Sequence, residues 1–247
     1  MLDYRTSSSP DRPPKLLSER LREETRADHA RAEKHPLMAV MVSGRVDRAM
    51  YARYLGQMLH VHATLEAALR TNCPRHPALA VVVREHHFRE AALRADLTTL
   101  GEHLERHPPV PATGLFCGRI DGLASDEPPA LLGTLYVLEG SANGGRFIAP
   151  AVQRALGLPG RAPAGSGTEY LDPHGDRQRD HWSSFKASLD VLTLSPAERD
   201  LIVAVTSDAF RGVHDIFEDL THQPNPPHVS VLPPRWAEKE AGTFSTP

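Results

Sequence analysis

Proline decides where this chain can be helical. Inside a helix it removes a backbone hydrogen bond and clashes with the preceding turn, so it ends or bends the helix. The sequence holds 22 prolines, yet they leave clear windows at 15–35, 37–73, 78–107, 130–149, 174–195 and 197–223. Within those windows apolar residues recur at three and four, and no sustained period-two alternation competes. Met50, Tyr51, Tyr54, Leu55, Met58, Leu59, His62, Leu65 and Leu69 trace one apolar stripe, which predicts an amphipathic helix. Leu79, Val82, Val83, His86, Leu93, Leu97, Leu100 and Leu104 repeat the pattern through 78–107. Ser195-Pro196-Ala197-Glu198 joins a capping hydroxyl, a proline at the first helical position and a glutamate that reaches back to the cap. Asp47 and Ser125 are expected as further N-caps. The Pro- and Gly-rich stretch 105–128 reads as an irregular connection, and 159–173 as another. Residues 1–14 and the Pro-rich 223–247 read as flexible tails around one domain at 15–222. Six or more helices without strands predict a single-domain all-α bundle.

Composition narrows the function. Lys+Arg 28 against Asp+Glu 31 gives a net charge of −3, without the basic excess that displaces counterions from nucleic acid. No apolar run exceeds the six residues at 37–42, far short of the ~20 that cross a bilayer. The first residues carry no apolar signal-like stretch. Cys73 and Cys117 form no Cys-x-x-Cys pair. A cytoplasmic protein with free thiols, no nucleic-acid partner and no membrane partner is therefore expected.

Two segments stand out. Leu135-Tyr136-Val137-Leu138-Glu139-Gly140-Ser141-Ala142-Asn143-Gly144-Gly145-Arg146-Phe147-Ile148 places three glycines inside a helical window, each costing about 0.5–1 kcal/mol against alanine. Gly140 and Gly144 fall at i and i+4, so one helix face is stripped to backbone. Either a neighbouring helix or a flat ligand can press there; Ser141 and Asn143 add polar groups beside the strip. In the second segment Arg22, Arg26, His29 and Glu33 lie within about 60° on one face, counting 100° per residue. That face is either a solvated charged surface or a site in which the imidazole touches a ligand's centre. In the latter case the guanidinium arms clamp carboxylates at the ligand's edge, and Glu33 accepts the other ring N–H. A di-iron bundle is not indicated, because no Glu is followed by His three residues later. His60 with His62, and His86 with His87, are spaced to face apart. His214 and Glu218 read as surface residues, and Cys73-Pro74 as a helix end.

The His29 segment, the Leu-Glu-Gly-Ser-Ala-Asn-Gly-Gly helix and the distance between them resemble the heme oxygenase family, in its soluble bacterial biliverdin-producing form. Tyr170-Leu171-Asp172-Pro173-His174-Gly175, His181-Trp182-Ser183-Ser184-Phe185-Lys186, Ser195-Pro196 and Ala209-Phe210 extend the likeness over about 16–222. The resemblance implies a multi-helix bundle with a glycine-kinked distal helix. It makes His29 the ligand of heme iron through a neutral imidazole and sets Gly140, Gly144 and Gly145 on the distal side. Arg22, Arg26 and Lys186 fall on positions that pair with the propionates, and Phe210 on an aromatic lining the pocket. Ser141 replaces the acidic residue that several relatives carry after the first distal glycine. A hydroxyl still orders water there, but a carboxylate proton donor is absent. The implied activity is O2- and electron-dependent cleavage of heme to biliverdin, CO and ferrous iron. Heme would serve as substrate and oxygen-activating centre, with an external electron donor and a possible bilin-binding photoreceptor as recipient. Two alternatives stay open: a non-catalytic heme carrier or sensor, and an enzyme of the same fold acting on another small heterocycle.

Overall fold

The computed structural model describes residues 15–159 and 165–222, so the tails expected at 1–14 and 223–247 lie outside the described residues. Ten α-helices follow one another: α1 (Leu17–Glu24), α2 (Arg26–Glu33), α3 (Pro36–Val42), α4 (Arg48–Asn72) and α5 (Pro77–Val82), then α6 (Glu90–Thr99), α7 (Pro111–Asp126), α8 (Leu131–Leu156), α9 (Gln178–Asp190) and α10 (Pro196–His222). No strand occurs among the described residues. The predicted stripe of α4 is buried almost throughout, with Tyr51, Leu55, Leu59, Leu65 and Leu69 in the core. α4 packs on α6 and α7, and α10 packs on α2, α7 and α8. α8 and α10 therefore bring the glycine segment and the His29 segment into one bundle. No helix among the described residues is long and apolar enough to cross a membrane.

Two caps form as the sequence predicts. The Asp47 carboxylate accepts from the Met50 N–H at 2.7 Å. Ser195 and Glu198 bond reciprocally, with Ser195 N–H donating to Glu198 Oε2 at 2.7 Å and Glu198 N–H to Ser195 Oγ at 3.3 Å. Ser125 does not cap; it lies inside α7 and its hydroxyl donates to the Asp121 carbonyl.

Elsewhere tertiary contacts override the local pattern. The window 78–107 is not one helix: the chain is extended at Val83, makes a short 3₁₀ turn at Glu85–His87 and restarts as α6. The Glu66 carboxylate causes the restart. It reaches from α4 to accept the N–H groups of Arg89 and Glu90 at 2.6 and 2.8 Å, a cap supplied from 23 residues away. Residues 111–126, expected as loop, form α7. Pro111 occupies its first turn, Asp219 of α10 accepts the Ala112 N–H, and Phe116 and Ile120 are buried. The window 15–35 breaks at Thr25, whose hydroxyl donates to the Leu21 carbonyl at 2.6 Å and competes with the helical ladder. α8 continues through Pro150 to a left-handed Gly157. Arg146, four residues before that proline, is exposed, so its undonated carbonyl can face water.

Candidate functional site

α1, α2, α8, α9 and α10 enclose a cavity of about 1230 Å³, above the ~300–1,000 Å³ common for small-molecule pockets. Arg22, Arg26, His29, Glu33, Gly140, Ser141, Gly144, Gly145, Lys186 and Phe210 all line it. The break at Thr25 leaves the charged face of α1 and α2 on the same wall.

On that wall His29 is 51% exposed and its Nδ1 lies 3.4 Å from Glu33 Oε2. A proton on Nδ1 would face that carboxylate and leave the Nε2 lone pair as the free ring acceptor. Phe210, buried on α10, meets the imidazole edge-on at 5.2 Å and 86°, which fixes the ring plane. Arg22 and Arg26 stand on the rim, and Lys186 completes it from α9, with Nζ 5.7 Å from the centre of the Trp182 ring.

The facing wall is α8, and its three glycines differ. A Cβ on Gly144 would meet nothing within 4 Å, so this position is open. On Gly140 it would lie 3.3 Å from Trp182 Cη2. On Gly145 it would run into the Leu171 carbonyl oxygen. Gly145 thus lets the 165–171 segment pack against α8, Gly140 makes room for the Trp182 indole, and Gly144 bares backbone to the cavity. Ser141 donates to the Leu138 carbonyl at 2.7 Å, and Tyr170 and Tyr54, their rings 6.2 Å apart, line the cavity with it. Burial pushes both tyrosines above the usual phenol range, so they remain protonated donors. Asp96 holds Tyr170 in place by accepting the N–H groups of Glu169 and Tyr170, each at 2.9 Å.

Behind α8 lies a buried polar seam. Glu139, 1% exposed, contacts Arg89 Nη2 at 2.7 Å and His174 Nε2 at 3.4 Å. His62 sits edge-on to Tyr170 at 5.3 Å, and burial holds its imidazole at about 3. Sequence reasoning missed Tyr54, Tyr170, Arg89, Glu139 and Trp182 as neighbours of the site. Only Glu139 gave a local signal, as a charge inside an apolar helical run. His214 and Glu218 instead join buried His35 in a cluster. His35 Nδ1 accepts the Leu37 N–H, so its Nε2 carries the proton that faces Glu218 at 3.2 Å. That is a capping contact, not a ligand set.

The fold and cavity define a helical-bundle protein whose cavity is lined by an imidazole, bare helix backbone and three cations, features that suit a large flat acidic ligand. Heme fits each of these features. A heme oxygenase family model matches residues 15–219, and the chain belongs to the heme oxygenase family.

Among its relatives, heme oxygenase 1 of Pongo abelii is 27% identical over 85% of this chain and 74% of that protein. Heme oxygenase of Pyropia yezoensis is 26% identical over 83% of this chain and 85% of its own length. The structure of heme oxygenase-2 from Synechocystis sp. PCC 6803, in complex with heme and NO, matches with a TM-score of 0.75 at 26% identity, covering 83% of this chain and 85% of that one. A TenA homologue from Pyrococcus furiosus, at 12% identity and a TM-score of 0.63 over 83% of this chain and all of that one, shares the fold alone.

Proposed function

We propose that the protein is a heme oxygenase that cleaves heme to biliverdin, CO and ferrous iron with O2 and electrons from an external donor. One observation carries this reading: His29 and the open backbone at Gly144 line the same cavity, which the three rim cations also border. Heme supplies the oxygen-activating iron, so the protein's task is to hold, orient and protonate. His29 presents Nε2 to the iron and Glu33 sets its tautomer. Arg22, Arg26 and Lys186 pair with the propionates, and Phe210 packs on the proximal ring. Gly144 allows close approach of α8, and Gly140 makes room for the Trp182 indole. Ser141, backed by Tyr170 and Tyr54, orients water and passes protons where relatives place a carboxylate. Gly145 supports this wall from behind.

One folded unit at 15–222 carries the activity. The free thiols of Cys73 and Cys117 support a reducing, cytoplasmic setting. Two downstream roles are open to this activity: biliverdin passed to a bilin-binding photoreceptor, and release of iron for use. Hemin titration followed by reductant in air tests the reading: CO and a green bilin are expected. A complex that persists unchanged makes the protein a carrier, and an apoprotein that ignores hemin refutes the site.

A further inference from the structure

The glycine strip is covered at one end and open at the other. Trp182, on the second turn of α9, lays the six-membered edge of its indole over Gly140, with Cη2, Cζ3 and Cζ2 at 3.3, 3.7 and 3.8 Å from where a Cβ would stand. Gly144, four residues on and about 6 Å along the helix, has no neighbour within 4 Å of that position. The indole is braced from behind. Phe185 stacks on it at 5.6 Å and 21°, and Tyr136 of α8 meets it at 5.2 Å and 50°. Phe185 and Tyr136 are themselves buried at 2% and 7% exposure, so the partly buried indole rests on a fixed aromatic backing and turns its remaining surface to the cavity.

A disc lying on this wall is therefore displaced from Gly140 toward Gly144. His29 fixes its centre from the other side, and Arg22, Arg26 and Lys186 fix its acidic edge. With centre and edge held, a wall on one flank removes the remaining in-plane freedom. We propose that Trp182 is the specificity-determining residue of the reaction: it decides which edge of the macrocycle lies under α8, and so which meso carbon is opened. The inference rests on the heme oxygenase reading and adds its regiospecificity, with no new chemical step.

Trp182→Ala and Trp182→Phe are compared with the natural chain in two measurements. Proton NMR of the ferric cyanide complex reads the seating of the macrocycle from its hyperfine-shifted methyl signals, without turnover. Chromatography of the bilin reads the carbon opened. The natural chain is expected to give one methyl pattern and one isomer. Trp182→Ala should add a second pattern and a second isomer, with about a tenfold loss of selectivity, the scale of a pocket contact. Trp182→Phe, which keeps a ring against Phe185, should fall between the two, and it decides the matter if the alanine variant does not fold. Unchanged patterns and a single isomer in the folded variants overturn the proposal. A natural chain that forms no hemin complex, or makes no bilin, instead overturns the reading beneath it.

Discussion

Across the cavity, His29 leaves half its imidazole exposed and leans on a single exposed carboxylate, Glu33. Ser141 opposite stands before a buried network of Tyr170, Tyr54, His62, Arg89 and Glu139. The first wall is a charged face shared by α1 and α2 whose function rests on individual side chains. The second is a composite in which α4, α6, α8 and the 165–171 segment hold one another in place. Substitutions on the first wall should change binding and spare folding. Those on the second should change both.

The sharpest break in that contrast is His29→Ala. It removes the proposed iron ligand while its only ring contact with the core is the edge of Phe210, so hemin titration should show loss of the coordinated spectrum and a fall in turnover of at least about 100-fold, the scale expected of a lost metal ligand or its supporting shell. Thermal unfolding should be unchanged. On the opposite wall Glu139→Ala leaves the Arg89 guanidinium buried without its carboxylate, which costs about 3–5 kcal/mol. Denaturant unfolding of the heme-free protein measures this directly, and a loss below 1 kcal/mol would mean that the seam is not structural.

The glycines sharpen the comparison within α8 itself. Gly145→Ala forces a methyl into the Leu171 carbonyl and should destabilise by about 1–3 kcal/mol. Gly144→Ala meets open space and should gain about 0.5–1 kcal/mol of helix stability while weakening hemin binding. Paired unfolding and titration curves separate the two; equal behaviour would mean that the strip is uniform.

The smallest effect is in pH. Burial holds His62 at about 3 and His87 at about 4, against 6.5 when free. As pH falls below 6.5 the unfolded chain takes up these protons first. The stability the two neutral imidazoles contribute is therefore complete above 6.5 and lost as pH falls through their folded values. Asp96, pushed up to about 7 by burial, runs the other way, favouring the folded state at low pH and losing that contribution as pH rises from its ordinary 3.8 through 7. Two histidines against one aspartate predict a lower urea midpoint at pH 4.5 than at pH 7, and a shallower drop in His62→Gln. An identical drop in that variant would assign the acid sensitivity elsewhere.

The contrast between walls also explains what the sequence disclosed. Helical spacing grouped Arg22, Arg26, His29 and Glu33 on one helix face; the helix breaks at Thr25, yet all four still line the cavity. It also flagged Gly140 and Gly144, because glycine inside a helix carries a local cost. Nothing local distinguished Gly145 from Gly144, since the difference lies in Leu171, 26 residues later. The break between α5 and α6 was hidden for the same reason: its cap, Glu66, belongs to α4. α7 was hidden by its own glycines, whose weak propensity is outweighed by burying Phe116 and Ile120. Tyr54 looked like ordinary core, and its place on the cavity wall beside Tyr170 is set by how α4 packs, which nothing local in the chain encodes.

The most direct measurement is a crystal structure of the hemin complex. Iron is expected to be ligated by His29 Nε2, with the opposite face of the macrocycle against the backbone of Gly144 and its flank against the Trp182 indole that covers Gly140. Iron bound by any other side chain, or hemin seated outside this cavity, would contradict it.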